Sequence, residues 1–258
     1  ADADAAVAQA AAKALPGVVT AKELPALYAL LEKQGSSSDP NAAAIQHAVV
    51  VAMKGMSVAD KASALTGRMK AAPDKKSLYY GVLAEADVPG AVAIIADGFA
   101  SGTGTQKDDA FRALQRVKGM GAAERLTEIA SGDDTRYAVD ALGQYVEQVA
   151  GAALTPEAKA LLLSDALEIA AGNPAIGPER AARLKAIILG RVGETKTFQG
   201  LILAGKYLDD PDKAVRSAAA SAVINAALAH KEYYGPVVEN LLRRSADITE
   251  GQDSSYLR

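Results

Sequence analysis

The sequence predicts an all-α fold, an α-α superhelix of about seven antiparallel helix pairs. Half of the 258 residues are hydrophobic, yet only 5% are aromatic and there is no Trp. Ala and Leu dominate the hydrophobic residues. Both are strong helix formers, and small Ala faces let helices approach closely. Helix start and stop signals recur along the chain. Apolar residues follow helical spacing, without the sustained alternation that is typical of strands.

Capping residues predict where the helices begin and end. Thr20 and Glu23 are spaced as a capping box, and Ser57 and Asp60 repeat the spacing with a shorter acid. Cap residues also precede Pro, which is favoured at the first helical position, at Asp39-Pro40, Thr155-Pro156, Asn173-Pro174 and Asp210-Pro211. Glycines that follow apolar runs predict helix ends at Gly132, Gly172 and Gly193.

Apolar residues three and four apart predict the buried face of each helix. One stripe comprises Phe198, Leu201, Ile202, Gly205 and Leu208, and the next Val215, Ala218, Ala219, Ala222, Val223 and Ala226. Ile224 and Leu228 give the second segment another apolar face, which predicts a helix sandwiched between neighbours. The apolar run Ala91–Ala96 is too isolated to predict a sheet.

These signals predict about fourteen helices, and we expect a single domain over residues 1–258. The predicted pairs cover residues 2–34, 40–71, 74–101, 105–131, 134–172, 178–209 and 211–245. Segments rich in Gly, Ser and Thr at 35–38 and 101–104 predict loops between repeats. Acid-to-Arg spacings predict ion-pair ladders between repeats, from Asp108 to Arg112, Asp133 to Arg136 and Asp212 to Arg216.

The segment Tyr207–Ala219 resembles the junction of a HEAT repeat. It has an apolar helix end, an acidic turn with Pro, and then Val215-Arg216 before an Ala-rich helix. On this segment the chain is similar to HEAT/armadillo helical repeat proteins. The resemblance implies a solenoid whose concave face, built from the second helix of each pair, is a wide and shallow recognition surface.

A second resemblance covers roughly the last hundred residues. It rests on Leu154–Leu163, Thr195–Pro211 and Gly251–Tyr256, which look like the N-terminal helical region of exported Bacteroidetes-type proteins. In those proteins the helices precede a 3-keto-disaccharide hydrolase domain, a β-sandwich akin to family-sixteen glycosyl hydrolases. The resemblance implies that any such chemistry lies outside the present chain, and it carries no catalytic residue over.

Composition narrows the class of partner and the compartment. The lack of Cys excludes thiolate zinc sites, Cys nucleophiles and disulfides. A net charge of −3 disfavours nucleic acid as a partner. No apolar run approaches the ~18–20 residues of a spanning helix, so we expect no membrane insertion. The first residue is Ala1 instead of Met, which suggests a removed leader and predicts a periplasmic or otherwise exported protein.

The candidate catalytic groups are better explained as structural. His47 and His230 lie many repeats apart, so we do not expect them to share a site. The pairs Asp108-Asp109, Asp133-Asp134 and Asp209-Asp210 lie at predicted helix starts, where capping explains them better than glycosidic catalysis. The segments Gly102–Gly104 and Gly193–Lys196 lack the full phosphate-loop pattern and are predicted to be turns. We therefore expect no catalytic residue, no metal site and no cofactor.

Basic and aromatic residues are the candidates for binding. Arg180, Arg183, Lys185 and Arg191, and the doublet Arg243-Arg244, are interleaved with acids and are predicted to form solvated faces. Adjacent helical residues point about 100° apart, so one ring of Tyr79-Tyr80 and one of Tyr233-Tyr234 could edge a ligand groove. The interpretation that we favour places one ring of each doublet in the core and leaves the other half-buried. The binding residues stay unassigned.

The sequence therefore predicts a non-catalytic scaffold or interaction module that binds a protein or glycan partner on its concave face. It would accompany a carbohydrate-active domain outside this chain. The alternative is an enzyme that acts on glycan or nucleic acid at that face, which requires an acid beside exposed aromatic rings in one cleft.

Overall fold

The structure, a computed structural model, describes residues 4–253, with side chains through residue 250, and these residues are all-α. They form fourteen α-helices and four short 3₁₀ helices, with no strand among them. The helices are α1 (Ala5–Ala14), α2 (Leu24–Glu32), α3 (Ala42–Ala52), α4 (Val58–Ala71), α5 (Tyr80–Glu85), α6 (Ala91–Ser101), α7 (Thr105–Arg116), α8 (Ala123–Ser131), α9 (Ala138–Gly151), α10 (Pro156–Gly172), α11 (Pro178–Thr195), α12 (Phe198–Gly205), α13 (Lys213–Ala229) and α14 (Pro236–Asp253). The predicted all-α class is confirmed.

Contacts within the chain define two compact units, Ala1–Ala122 and Ala123–Arg258. The boundary falls between α7 and α8, inside the predicted pair 105–131. The expectation of a single domain over residues 1–258 stays a prediction, and so does the superhelix.

The first unit is built from contacts between helices that are close in sequence. α3 packs on α2 and α5, and α7 packs on α5 and α6. The 3₁₀ helix Pro73–Tyr79 leads directly into α5 and also contacts α4. Large apolar side chains fill the interior, among them Leu27, Leu31, Leu65, Leu78 and Leu114. Packing of each helix on its neighbours in sequence is what helical repeats require.

The second unit has the same kind of packing. α11 lies extensively against α10 and α13, while α13 also packs on α12 and α14. Its buried residues include Leu126, Leu142, Leu167, Ile188 and Val223. The sandwiched α13 was predicted from its two apolar faces, but the second face is only partly covered, since Leu228 is 67% exposed.

Several predicted caps are present. The Lys22 amide donates to the Thr20 hydroxyl (3.3 Å), and the Thr20 amide donates to the Glu23 carboxylate (2.7 Å). Ser57 accepts from the Asp60 amide (3.1 Å), and Thr155 accepts from the Ala158 amide (3.3 Å). These bonds satisfy amides that a helix start leaves without intrahelical partners.

The three predicted caps at Asx-Pro sequences were wrong. The Asp39 carboxylate accepts from the Gly35 amide (2.6 Å), and α3 begins only after Asn41. Asn173 accepts from the Ala175 amide (2.9 Å), and Asp210 from the Asp212 amide (3.0 Å). Asp and Asn readily bond the backbone two residues on, so these two residues form turns ahead of the helices.

The prediction that Gly193 ends a helix was wrong, and so was the prediction of a turn that begins there. Residues 193–195 are the last three residues of α11, which continues to Thr195. A Cβ atom on Gly193 would lie 3.0 Å from the Cα and 3.1 Å from the Cβ of Ala222 in α13. Gly193 is therefore the residue that lets α11 and α13 approach closely.

No helix within residues 4–253 is long and apolar enough to cross a membrane. The last piece of the second resemblance, Gly251–Tyr256, lies outside the residues whose side chains are described.

Candidate functional site

The doublet Tyr79-Tyr80 does not edge a groove. Tyr79 is 0% exposed and Tyr80 is 2% exposed, so the prediction that one ring would be half-buried was wrong. The Tyr79 hydroxyl donates to the Glu32 carboxylate (2.5 Å), which also accepts from Arg68 (2.5 Å). Burial, together with Glu32, raises the pKa of Tyr79 well above its usual range. These rings are part of the core of the first unit.

The doublet Tyr233-Tyr234 lies on the surface of the second unit. Tyr234 is exposed and Tyr233 is partly exposed, so neither ring lies in the core. The prediction that one ring of this doublet would be in the core was wrong. The Tyr233 ring stacks on His230 (4.7 Å between centroids, 28° between planes) and contacts Phe198 (5.4 Å). Phe198 begins α12 and thereby connects this aromatic cluster to a groove.

The groove lies between α10 and α12, has a volume of about 360 Å³, and is the site that we consider functional. It is lined by residues from one face of each helix: Glu157, Ala160, Leu161, Ser164, Phe198, Gln199, Ile202, Leu203 and Lys206. Ala160 and Leu203 are buried, whereas Leu161 is 66% exposed and Phe198 42% exposed. The buried residues thus form the floor, and the two large exposed side chains form the walls.

Local sequence explains why this surface is concave. The residues from α10 follow the spacing i, i+3, i+4 and i+7, which places them on one face of the helix. Two of them, Ala160 and Ser164, are small. Gly200 lies on α12, where an added Cβ would meet Val192 Cγ1 of α11 at 3.2 Å, so α12 sits deep against α11. Small residues between large ones therefore leave a channel.

Comparison with known proteins gives no relative of this chain. No protein-family model matches it, and searches of curated proteins and of solved structures find no match. The resemblances to HEAT/armadillo proteins and to the Bacteroidetes-type proteins therefore stay predictions.

The two histidines each have a carboxylate partner. His47 Nδ1 contacts Glu85 Oε1, and Arg116 donates to Glu85 Oε2 (3.2 Å). Arg116 also donates to Gln46 (2.5 Å), whose amide donates to the Leu78 carbonyl (2.7 Å) inside the first unit. In the second unit, His230 Nδ1 lies 2.6 Å from Glu232 Oε1. Spacing along the chain did not indicate the His47 pair, because Glu85 comes from another helix.

Glu85 also borders a second cavity, of about 510 Å³, in the first unit. Its lining is mixed, with Asp87 and Lys118 among apolar residues of α5 and α6. Both oxygens of the Glu85 carboxylate already have partners. No group of three or more metal-ligating side chains occurs among the described residues.

The Asp108-Asp109 pair lies near the start of α7, with Asp108 in the first turn as predicted, but Asp109 does not act as a capping acid. Asp109 is 1% exposed, and its carboxylate accepts from Ser36 Oγ (3.0 Å), Ser37 Oγ (2.6 Å) and Ser77 Oγ (2.8 Å). Arg112 of the same helix also donates to it (2.9 Å). Residues 35–38, the serine loop after α2, are thus hydrogen-bonded to α7. Asp109, which was predicted to be a capping acid, is a buried acceptor for this loop.

Three of the six residues in the predicted basic clusters form ion pairs with acids. Lys185 pairs with Asp210 (2.5 Å), and Arg244 with Asp209 (2.6 Å). Arg191 pairs with Glu147 and with Glu194 (2.9 Å each). Ladders from Asp212 to Arg216 are not formed, because Arg216 donates to the carbonyls of Asp210 and Pro211. Arg180 and Arg183 are exposed, as the interpretation of a solvated face requires, whereas the Lys185–Asp210 pair is mostly buried, with side-chain exposures of 15% and 8%.

Proposed function

We propose that the chain is a non-catalytic interaction module that binds an apolar segment of a partner protein in the groove between α10 and α12. The observation that carries the proposal is the exposure of Leu161 and Phe198 on opposite walls of one channel with a buried apolar floor. Large apolar side chains grouped on a surface mark interaction sites more often than single ones do.

The chemistry of the groove favours a protein partner over a glycan. The apolar part of its lining is Phe198 and four aliphatic residues, Ala160, Leu161, Ile202 and Leu203. Glycan binding needs flat aromatic surfaces beside several hydrogen-bonding groups, whereas aliphatic walls bind apolar side chains. Tyr233 and His230 extend the surface beyond Phe198, so a partner longer than the groove would contact them as well.

A selection for binding tests the proposal. Peptides selected from a random display library on the whole chain are then measured by calorimetry. We expect Leu161→Asp to weaken their binding by tenfold or more, about 1.4 kcal/mol or above. Leu228→Asp is the matched control, because Leu228 is equally exposed but does not line the groove. Equal binding by both variants would contradict the proposal.

We also propose, on the resemblances alone, that the helices form a HEAT/armadillo-like superhelix in an exported protein that accompanies a carbohydrate-active domain. The neighbour-to-neighbour packing of the helices within each unit supports the first part. A β-sandwich domain encoded in the same reading frame would support the second, and a neighbouring domain of another class would contradict it.

A further inference from the structure

We propose that the occupant of the groove is an amphipathic helix that runs antiparallel to α10 and α12, with acidic residues in its first turn and basic residues in its last. This inference rests on the proposed function and names the class of partner. It follows from the backbone chemistry of the walls, from their direction, and from the charges at the two ends of the groove.

The walls favour a helical occupant. Both are helices, so their backbone groups are already bonded within each helix and offer no strand edge. An extended peptide in this apolar channel would leave its own amides and carbonyls without partners, whereas a helix satisfies them internally. The groove extends over nine residues from Phe198 to Lys206. At ~1.5 Å per residue this is about 12 Å, or roughly two turns of a bound helix.

The hydrogen bonds and contacts around α11 show that α10 and α12 run parallel. Arg191 and Thr195, at the end of α11, lie beside Pro156 and Lys159, at the start of α10. The start of α12 lies at that same end of α11, because a Cβ on Gly200 would meet Val192. Lys185, nearer the start of α11, pairs with Asp210, beyond the end of α12. α11 is therefore antiparallel to both neighbours.

Opposite charges consequently lie at opposite ends of the groove. Glu157 is in the first turn of α10, and Lys206 follows the last residue of α12. Both are exposed, and neither forms an ion pair with another described residue. A bound helix is complementary if its basic end lies beside Glu157 and its acidic end beside Lys206.

The helix dipole selects the direction of that occupant. Acidic residues stabilise the first turn of a helix and basic residues the last. A helix with this arrangement meets both charges of the groove only if its C-terminal end lies beside Glu157. Since Glu157 marks the N-terminal end of α10, the occupant must run antiparallel to α10 and α12. Apolar residues at i, i+3 or i+4, and i+7 would then face Leu161 and Phe198.

Two stapled peptides test the inference on the whole chain. Both are amphipathic peptides of about 15 residues with the same Leu stripe. A lactam bridge keeps each one helical, because free helices of about this length are only marginally stable in water. The acidic-first peptide carries Glu in its first turn and Lys in its last, and the basic-first peptide has these charges exchanged. Circular dichroism of the free peptides is the control that their helicity is equal. We expect the wild type to bind the acidic-first peptide about fivefold more tightly at low salt, in line with two surface ion pairs.

The double variant Glu157→Lys/Lys206→Glu is the decisive comparison. It should prefer the basic-first peptide by a similar factor, and high salt should abolish both preferences. A benzophenone in the last turn of the acidic-first peptide should label the wild type near Glu157. Labelling near Lys206, or a preference that the double variant leaves unchanged, would overturn the inference.

The failure of this inference can be told apart from failure of the proposed function. If both peptides bind equally and Leu161→Asp weakens both, the groove binds apolar segments without the proposed orientation. If display selects peptides that need Leu161 but neither helix binds, the occupant is not a helix. If no selected peptide depends on Leu161, the proposed function itself is wrong.

Discussion

Asp109 carries a carboxylate into the interior of the first unit, where three serine side chains and Arg112 surround it. Burying a charge is costly unless it is paired and hydrogen-bonded, and here both conditions are met. The loop that supplies Ser36 and Ser37 has no helix of its own. Its position therefore depends on the bonds to Asp109 and on the Asp39 carboxylate, which accepts from the Gly35 amide (2.6 Å).

Replacing Asp109 should destabilise the protein strongly. We expect Asp109→Ala to lower the free energy of unfolding by about 3 kcal/mol, because it leaves buried donors without an acceptor. Asp74→Ala, at an exposed position in the same unit, should change it by less than about 0.5 kcal/mol. Urea unfolding measures both. A similar, small effect of the two substitutions would mean that the serine loop is held by other contacts.

Buried tyrosines predict a loss of stability in alkali. Burial, reinforced by the negative charge of Asp165, raises the pKa of Tyr145 to about 12. Between pH ~10 and ~12 the unfolded chain releases a proton that the folded chain keeps, so the free energy of unfolding falls as pH rises. Below pH ~10 both states hold the proton and this contribution is constant.

The Tyr145→Phe variant isolates that contribution. Its free energy of unfolding should fall less steeply than that of the wild type, by a total of about 2–3 kcal/mol across the window, at 1.36 kcal/mol per pKa unit. Tyr234→Phe, at an exposed position, should follow the wild-type curve. Denaturant unfolding at a series of pH values gives both slopes. Parallel curves for all three proteins would refute this assignment.

At the scale of the element, two glycines in α11 have different roles. Nothing lies within 4 Å of a Cβ placed on Gly190, whereas one on Gly193 would crowd Ala222 of α13. We expect Gly193→Leu to lower the free energy of unfolding by about 1–3 kcal/mol through overpacking. Gly190→Leu should raise it by up to about 1 kcal/mol, because Gly is a poor helix former. Urea unfolding of the pair is the measurement, and equal effects would contradict this account.

The helices themselves were largely predictable, because capping and apolar spacing are local properties. The structure bears out the Thr20, Ser57 and Thr155 caps and places Ala91–Ala96 at the start of a helix. Roles that depend on another helix were not predictable. Ser37 and Asp109 are 72 residues apart, and nothing near Gly193 in sequence indicates Ala222.

The tyrosine doublets illustrate the same limit. Tyr79 ends a 3₁₀ helix and Tyr80 begins α5, so the two rings point to different neighbours. Tyr79 meets Tyr28 of α2, while the Tyr80 hydroxyl lies where a side chain on Gly98 of α6 would be. Neighbours on both sides bury both rings. The groove between α10 and α12 was missed for a related reason: Phe198 belongs to a predicted core stripe, and only packing shows that it reaches the surface.

At the scale of the whole molecule, each unit is held together by contacts between helices that are close in sequence. In a helical repeat array of the kind proposed, the stability of a segment depends mainly on its neighbours, and cooperativity over long distances is weak. The proposed binding site belongs entirely to the second unit. Its occupancy should therefore protect the second unit most.

This packing predicts that a destabilising substitution in one unit lowers the protection of amides in that unit only. Hydrogen exchange measures this protection. Asp109→Ala should speed the exchange of amides in α3, α5 and α7 of the first unit, because α7 carries Asp109 and packs on α5, which packs on α3. The same variant should leave α11, α12 and α13 as protected as in the wild type, while Gly193→Leu should have the opposite effect. Mass spectrometry of peptic fragments resolves these segments. Loss of protection over both units in either variant would show that the chain unfolds as one cooperative body, as the single-domain expectation requires.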